Sequence, residues 1–174
     1  MMDYPFSGKK YAFTVCRIEP ENSIHIILQA FAKDAAIPLV IVGNWTNSDY
    51  GRNLKKQFGS HESIHLLDPI YDLNELNKLR KGCTIYLHGH SCGGTNPSLV
   101  EAMYLGLVIV AFDVNFNRET TENKALYFSS AEQLNKICSE LEESTCNTIA
   151  SSMKEIAERR YTWKRISECY AELF

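Results

Sequence analysis

His88-Gly89-His90-Ser91-Cys92-Gly93-Gly94-Thr95-Asn96-Pro97-Ser98-Leu99-Val100-Glu101-Ala102-Met103 decides how this chain folds. It is followed by Gly106 and the apolar run Leu107-Val108-Ile109-Val110-Ala111. The order reads as a buried strand ending at His88, a glycine-rich loop, and a helix opening at Pro97 or Ser98. A helix start leaves backbone N–H groups unpaired and carries partial positive charge, so it suits an anion. Gly93 and Gly94 present no Cβ to keep a phosphate off the backbone. The helix carries one carboxylate, Glu101, close to the loop from which it grows. This pattern fits a nucleoside diphosphate.

Outward from that stretch, strand and helix signals alternate. Tyr11 to Cys16 is a β-rich run that ends in a turn at Glu19-Pro20-Glu21-Asn22, and Ile24, Ile27, Leu28 and Phe31 then recur at helical spacing. Leu39 to Val42, Ile64 to Leu67, Thr84 to His88, Leu107 to Ala111 and Ala125 to Phe128 read as five further strands. Helices are expected over 49–58, along Leu73, Leu76 and Leu79, and over 97–105, with Gly106 as the C-cap. Ser130-Ala131-Glu132-Gln133 is a capping box for a helix striped by Leu134, Ile137, Cys138 and Leu141. Ile149, Met153, Ile156 and Ala157 stripe the next. Trp163, Ile166, Tyr170 and Leu173 stripe the last, after Thr162 as N-cap, either as core or as an interdomain face. Strands this apolar, each followed by a helix, predict an α/β fold: a doubly wound, Rossmann-like parallel sheet of about six strands with helices on both faces. Ligands of such sheets sit beyond the carboxyl ends of the strands.

The chain's 174 residues fit one domain, 45% hydrophobic and 22% charged, as in ordinary globular proteins. A net charge of −3 with no basic block argues against nucleic acid. Six cysteines, none in a Cys-x-x-Cys pair, read as reduced apolar residues and point to a cytoplasmic setting. No signal peptide or spanning segment is visible. Residues 1–9, with their doubled Met, read as a linker or engineered start before a single domain over 10–174, within a fragment of a longer protein.

Three segments resemble the C-terminal, donor-binding half of retaining glycosyltransferases with the GT-B fold, from family 4. They are Cys16-Arg17-Ile18-Glu19-Pro20-Glu21-Asn22 with its following helix, Pro97 through Val110, and Tyr161-Thr162-Trp163 with the terminal helix. The wording Arg-Ile-Glu-Pro-Glu-Asn with His-Gly-His-x-x-Gly-Gly-Thr-Asn-Pro-Ser is most similar to bacterial polysaccharide rhamnosyltransferases. The resemblance implies a donor that is a sugar linked to thymidine or uridine diphosphate, with no other cofactor. It implies a carbohydrate or lipid-linked saccharide acceptor, met through an N-terminal domain absent here, and a peripheral place at the inner face of a membrane.

The resemblance also suggests roles. Arg17 would neutralise the leaving diphosphate and Glu101 would hold ribose hydroxyls. Gly93, Gly94, Thr95 and Asn96 would line the phosphates, His90 the donor pocket, Ile70 and Tyr71 the base, and Glu119 the sugar. Two positions depart from the family. Gly93 stands where the family's sugar-contacting glutamate is found, and Asn22 where its phosphate-binding lysine is. Each assignment has a plainer rival: Arg17 as a surface arginine pairing with Glu19 or Glu21, Glu101 as a polar residue favoured by the helix dipole, and Glu119 as part of an acidic turn. His88, His90 and Cys92 alternate, but they supply only three ligands across glycines, so no metal is expected. Rival classes are a non-catalytic nucleotide-binding module and a sugar-nucleotide epimerase or dinucleotide-dependent reductase. Against the second, no Gly-x-Gly-x-x-Gly follows the first strand.

Overall fold

A computed structural model describes residues 4–33 and 36–172, the Cys169 side chain excepted; Met1, Met2, Asp3 and Leu173 lie outside the described residues. Six strands form one sheet: β1 (Ala12–Val15), β2 (Leu39–Val42), β3 (Ile64–Leu67), β4 (Ile85–His88), β5 (Ile109–Phe112) and β6 (Leu126–Phe128). Their order is β3-β2-β1-β4-β5-β6, and every neighbouring pair is parallel.

The two-residue period of the strands sorts their side chains into two cores. Phe13, Val40, Val42, Tyr86, Ile109 and Ala111 face one side. Ala12, Leu39, Ile41, Ile85, Leu87 and Val110 face the other. The first core is closed by α3 (Leu73–Gly82), α4 (Pro97–Tyr104) and α7 (Glu143–Arg160), through Leu76, Leu79, Leu99, Met103, Met153 and Ile156. The second is closed by α1 (Ile24–Phe31), α2 (Asp49–Phe58) and α6 (Ala131–Glu140), through Ile27, Leu28, Leu54, Phe58 and Leu134. Helices therefore cover both faces, as the unbroken apolar strands require. The chain winds outward from β1 to β3, then returns to place β4 against β1. Loops leaving β1 and β4 diverge to opposite faces, and that leaves a crevice at their carboxyl ends.

Several sequence expectations are refined. Ser130 caps α6 by accepting from the Gln133 N–H at 3.2 Å, but Gln133 reaches back to the Ser129 N–H, 2.8 Å, one residue earlier than the expected box. Leu73, expected on the apolar stripe of α3, is 70% exposed, because it is the first residue of the helix and lies past the sheet. A short helix missing from the sequence reading, α5 (Asn115–Thr120), follows β5. On α8 (Trp163–Ala171), Trp163 and Tyr170 are exposed, so they do not belong to this domain's core. Residues 4–9 form a turn that buries Phe6 against Tyr11 and His65. Cys16, Cys83, Cys92, Cys138 and Cys146 are all free thiols.

Trp45, fully buried just past β2, donates its indole N–H to the Leu67 carbonyl at 2.8 Å and locks the β2 and β3 rims together. Trp45→Phe leaves that carbonyl with the Gly43 N–H, 3.2 Å away, as its remaining donor, and should lower the unfolding free energy by about 0.5–1.5 kcal/mol in urea titrations. A variant as stable as the parent would contradict this role.

Candidate functional site

The loop after β1 and the loop after β4 are stitched together. Asn22, at the end of a 3-10 turn over Pro20–Asn22, is 8% exposed. Its Nδ2 donates to the Arg17 carbonyl at 2.8 Å, so its Oδ1 is the atom facing His90 Nδ1, 3.1 Å away. That orientation fixes the histidine tautomer. Nδ1 carries the proton, and Nε2 is left as a lone-pair acceptor. Partial burial and the nearby Arg17 charge hold the His90 pKa below its ordinary value, so the ring is neutral at pH 7. Ser91 adds two bonds to the Glu21 carbonyl, from its N–H at 2.7 Å and its hydroxyl at 2.9 Å.

Close approach makes Gly89 obligatory here, since a Cβ would stand 2.1 Å from the Asn22 carbonyl oxygen. Gly93 has φ +116°, which side-chain-bearing residues rarely adopt, and its missing Cβ would lie 3.2 Å from His90 Nε2. A glutamate at that position would need another loop conformation. From the far side, the fully buried Asn117 of α5 donates to the His90 and Phe112 carbonyls, both at 2.9 Å. Thr95 Oγ1 meets Thr120 Oγ1 at 3.3 Å. Gly93, Gly94 and Thr95 remain exposed. Asn96 is the N-cap of α4, its Oδ1 accepting from the Ser98 N–H at 3.0 Å and the Ser98 hydroxyl at 2.8 Å.

Arg17 stands at the mouth of a 230 Å³ pocket that Ile70 and Tyr71 also line, with Cys16, Asn44 and Asn47. Its side chain is 81% exposed, and among the described residues a long 3.8 Å pairing with Glu19 is its one ionic contact. Burial pushes the Cys16 thiol up to about 12, so it stays a neutral wall. A larger cavity, 720 Å³, lies along α3 beside Tyr4, Phe6 and Lys78 and contains none of the expected site residues. Glu119 is exposed on α5, with its carbonyl accepting from Arg160 at 2.8 Å. Among the described residues no cluster of three or more His, Cys, Asp or Glu side chains is placed to hold a metal ion.

Glu101 has a partner that sequence reasoning missed. Arg80, 5% exposed near the end of α3, places Nη2 at 2.9 Å from Glu101 Oε2. Its Nη1 donates to Asn77 Oδ1 at 2.8 Å. One signal was available: Arg80 follows Leu76 by four residues, which puts a charge on the helix face that enters the core.

Residues 4–160 match the family of glycosyl transferases group 1. The chain belongs to that family. Among solved structures it is similar to Anabaena HepE in complex with UDP-glucose (TM-score 0.81, 22% identity, covering 97% of this chain and 49% of HepE). It is similar to sucrose-phosphate synthase from Thermosynechococcus elongatus (TM-score 0.77, 17% identity, 96% of this chain and 46% of that one). A third is the C-terminal domain of the group 1 glycosyl transferase LpcC from Francisella tularensis (TM-score 0.73, 19% identity, 90% and 88%). The chain thus spans about half the length of HepE but nearly all of the LpcC domain. No curated protein matches the sequence.

His88 closes the floor of the site. It is 4% exposed, its Nε2 is buried without a hydrogen-bond partner among the described residues, and burial together with His90 lowers its pKa to about 3. The unfolded chain takes up this proton near pH 6.5 and the folded chain does not, so stability is intact above 6.5 and falls from there toward pH 3. His88→Leu should remove up to about 1.4 kcal/mol per pH unit from the slope of stability between pH 6 and 4. Parallel urea-midpoint profiles for parent and variant would refute this.

Proposed function

We propose that this chain is the donor-binding half of a retaining, GT-B-type glycosyltransferase. The single observation that carries the reading is the convergence of the Arg17 mouth and the exposed Gly93–Asn96 loop across the Asn22–His90 seam. A nucleoside diphosphate would lie along it. The base would enter the pocket beside Ile70 and Tyr71, the ribose would meet Glu101, and the diphosphate would face the start of α4. One exposed helix end stabilises an anion by only ~0.3–1 kcal/mol, so several donors must act together. Arg17 adds a planar fork suited to phosphate. As the sugar–phosphate bond breaks, charge grows on the leaving diphosphate, and these fixed donors stabilise it where it develops.

His90 Nε2, an acceptor at neutral pH, would take a sugar hydroxyl in place of the family glutamate replaced by Gly93. HepE was solved with UDP and with UDP-glucose, which supports a pyrimidine nucleotide donor. The wording of the two stretches Arg17–Asn22 and His88–Ser98 supports a rhamnosyl donor, on thymidine or uridine diphosphate, used in polysaccharide assembly. The acceptor, a carbohydrate or lipid-linked saccharide at the inner face of a membrane, would be met through a further domain. Gly93 also favours a second reading, a nucleotide-binding module without transfer activity.

Thermal unfolding with UDP, thymidine diphosphate and NAD tests the reading. Either pyrimidine nucleotide at about a hundred times its Kd should stabilise the fold by about 2.7 kcal/mol. NAD should not, and Arg17→Ala should weaken the nucleotide about tenfold or more. Stabilisation by NAD alone, or by none of the three, would reject it. Donor hydrolysis or transfer, assayed with UDP- and thymidine diphosphate-linked sugars, separates the enzyme from the module.

A further inference from the structure

We propose that Asn44 selects the base of the donor, as a fixed amide that donates to the 4-carbonyl of uracil or thymine and rejects the 4-amine of cytosine. This rests on the placement of the base beside Ile70 and Tyr71 proposed above, and narrows it to one class of pyrimidine. What the Asn44 oxygen already does identifies the free end of the amide. Oδ1 accepts from the Thr46 N–H at 3.2 Å and from the Thr46 hydroxyl at 3.1 Å, which occupies both of its lone pairs. A flipped amide would set its NH2 against the Thr46 N–H, so the orientation is fixed. Asn44 lines the 230 Å³ pocket and Thr46 does not. Nδ2, without a hydrogen bond among the described residues, is therefore the polar end left for a ligand.

The turn that carries this amide is rigid. Trp45, between Asn44 and Thr46, is fully buried, Arg52 Nη1 donates to the Thr46 carbonyl, and Ser48 caps α2 by accepting from the Gly51 N–H at 3.1 Å. Asn47, on the same wall, makes no side-chain hydrogen bond among the described residues and can turn either end to a base, so it does not choose. Strand order settles which edge of the base Asn44 meets. β2 lies two strands from β4, about 10 Å at the usual spacing. The ribose and diphosphate are placed at α4, which follows β4. A base reaching from there into the pocket keeps O2, beside the glycosidic bond, toward β4 and turns its C4 substituent toward β2. Uracil and thymine carry a carbonyl at that position and accept from Nδ2. Cytosine carries an amine, which would leave two desolvated donors facing each other.

Calorimetric titration of the whole chain with UDP, CDP and inorganic pyrophosphate tests this, since the two nucleotides differ in the base alone. In the parent, CDP should bind about tenfold more weakly than UDP. Asn44→Asp keeps the turn on Thr46 but faces the base with an acceptor, so CDP should bind as well as UDP or better. Pyrophosphate reports what the added charge costs by itself. Asn44→Ala, which adds no charge, should bring the two nucleotides within about threefold of each other. Equal affinities in the parent, a result that needs no variant, overturn the proposal. A UDP preference unchanged in either variant also overturns it, and leaves the nucleotide site standing. Binding of neither nucleotide by the parent overturns the nucleotide site as well.

Discussion

The side chain of Asn22 bridges the crevice on which the whole site depends. A doubly wound sheet sends the loops after β1 and β4 to opposite faces, and nothing in the strand ladder holds those loops at a fixed distance. Here one amide does so, donating to the Arg17 carbonyl and accepting from His90. The Ser91–Glu21 bonds and the close contact at Gly89 tighten the same seam. Three consequences follow from it. The Arg17 backbone is set, so its exposed guanidinium starts from a defined point. The His90 tautomer is set, so a neutral acceptor faces Gly93. The glycine-rich loop is set, so the first turn of α4 stays open. A lysine at position 22 would supply a charge but could not accept from His90.

Local periodicity carried most of the fold. β2, β3 and α2 fall where alternation and turn residues place them, and the Ile149–Ala157 stripe is buried as its spacing demands. Errors arose where tertiary context overrides local pattern. Leu73 fits the helical stripe but projects past the sheet, and α5 is a six-residue element with no apolar period to detect. Trp163 and Tyr170 have helical spacing, yet spacing cannot say whether an apolar face is covered by this domain.

At the site, residue types were legible and pairings were not. The glycine-rich turn and Arg17 announce themselves by chemistry and position. That Asn22 spends its amide on a carbonyl and a ring, and Asn96 its side chain on a cap, depends on atoms brought together from distant segments. Arg80 and Asn117 escaped for the same reason. Each is a buried polar residue whose partners come from other elements, Glu101 for the one and the His90 carbonyl for the other. The two share a logic: a group out of contact with solvent fixes one that is exposed.

A crystal structure of this chain with bound UDP tests the central claim most directly. The account predicts the diphosphate between the Arg17 guanidinium and the backbone N–H groups of Thr95 and Asn96, with the Asn22–His90 bond intact. A nucleotide seated in the cavity beside Tyr4 and Phe6, with the Gly93–Asn96 loop left empty, would contradict it.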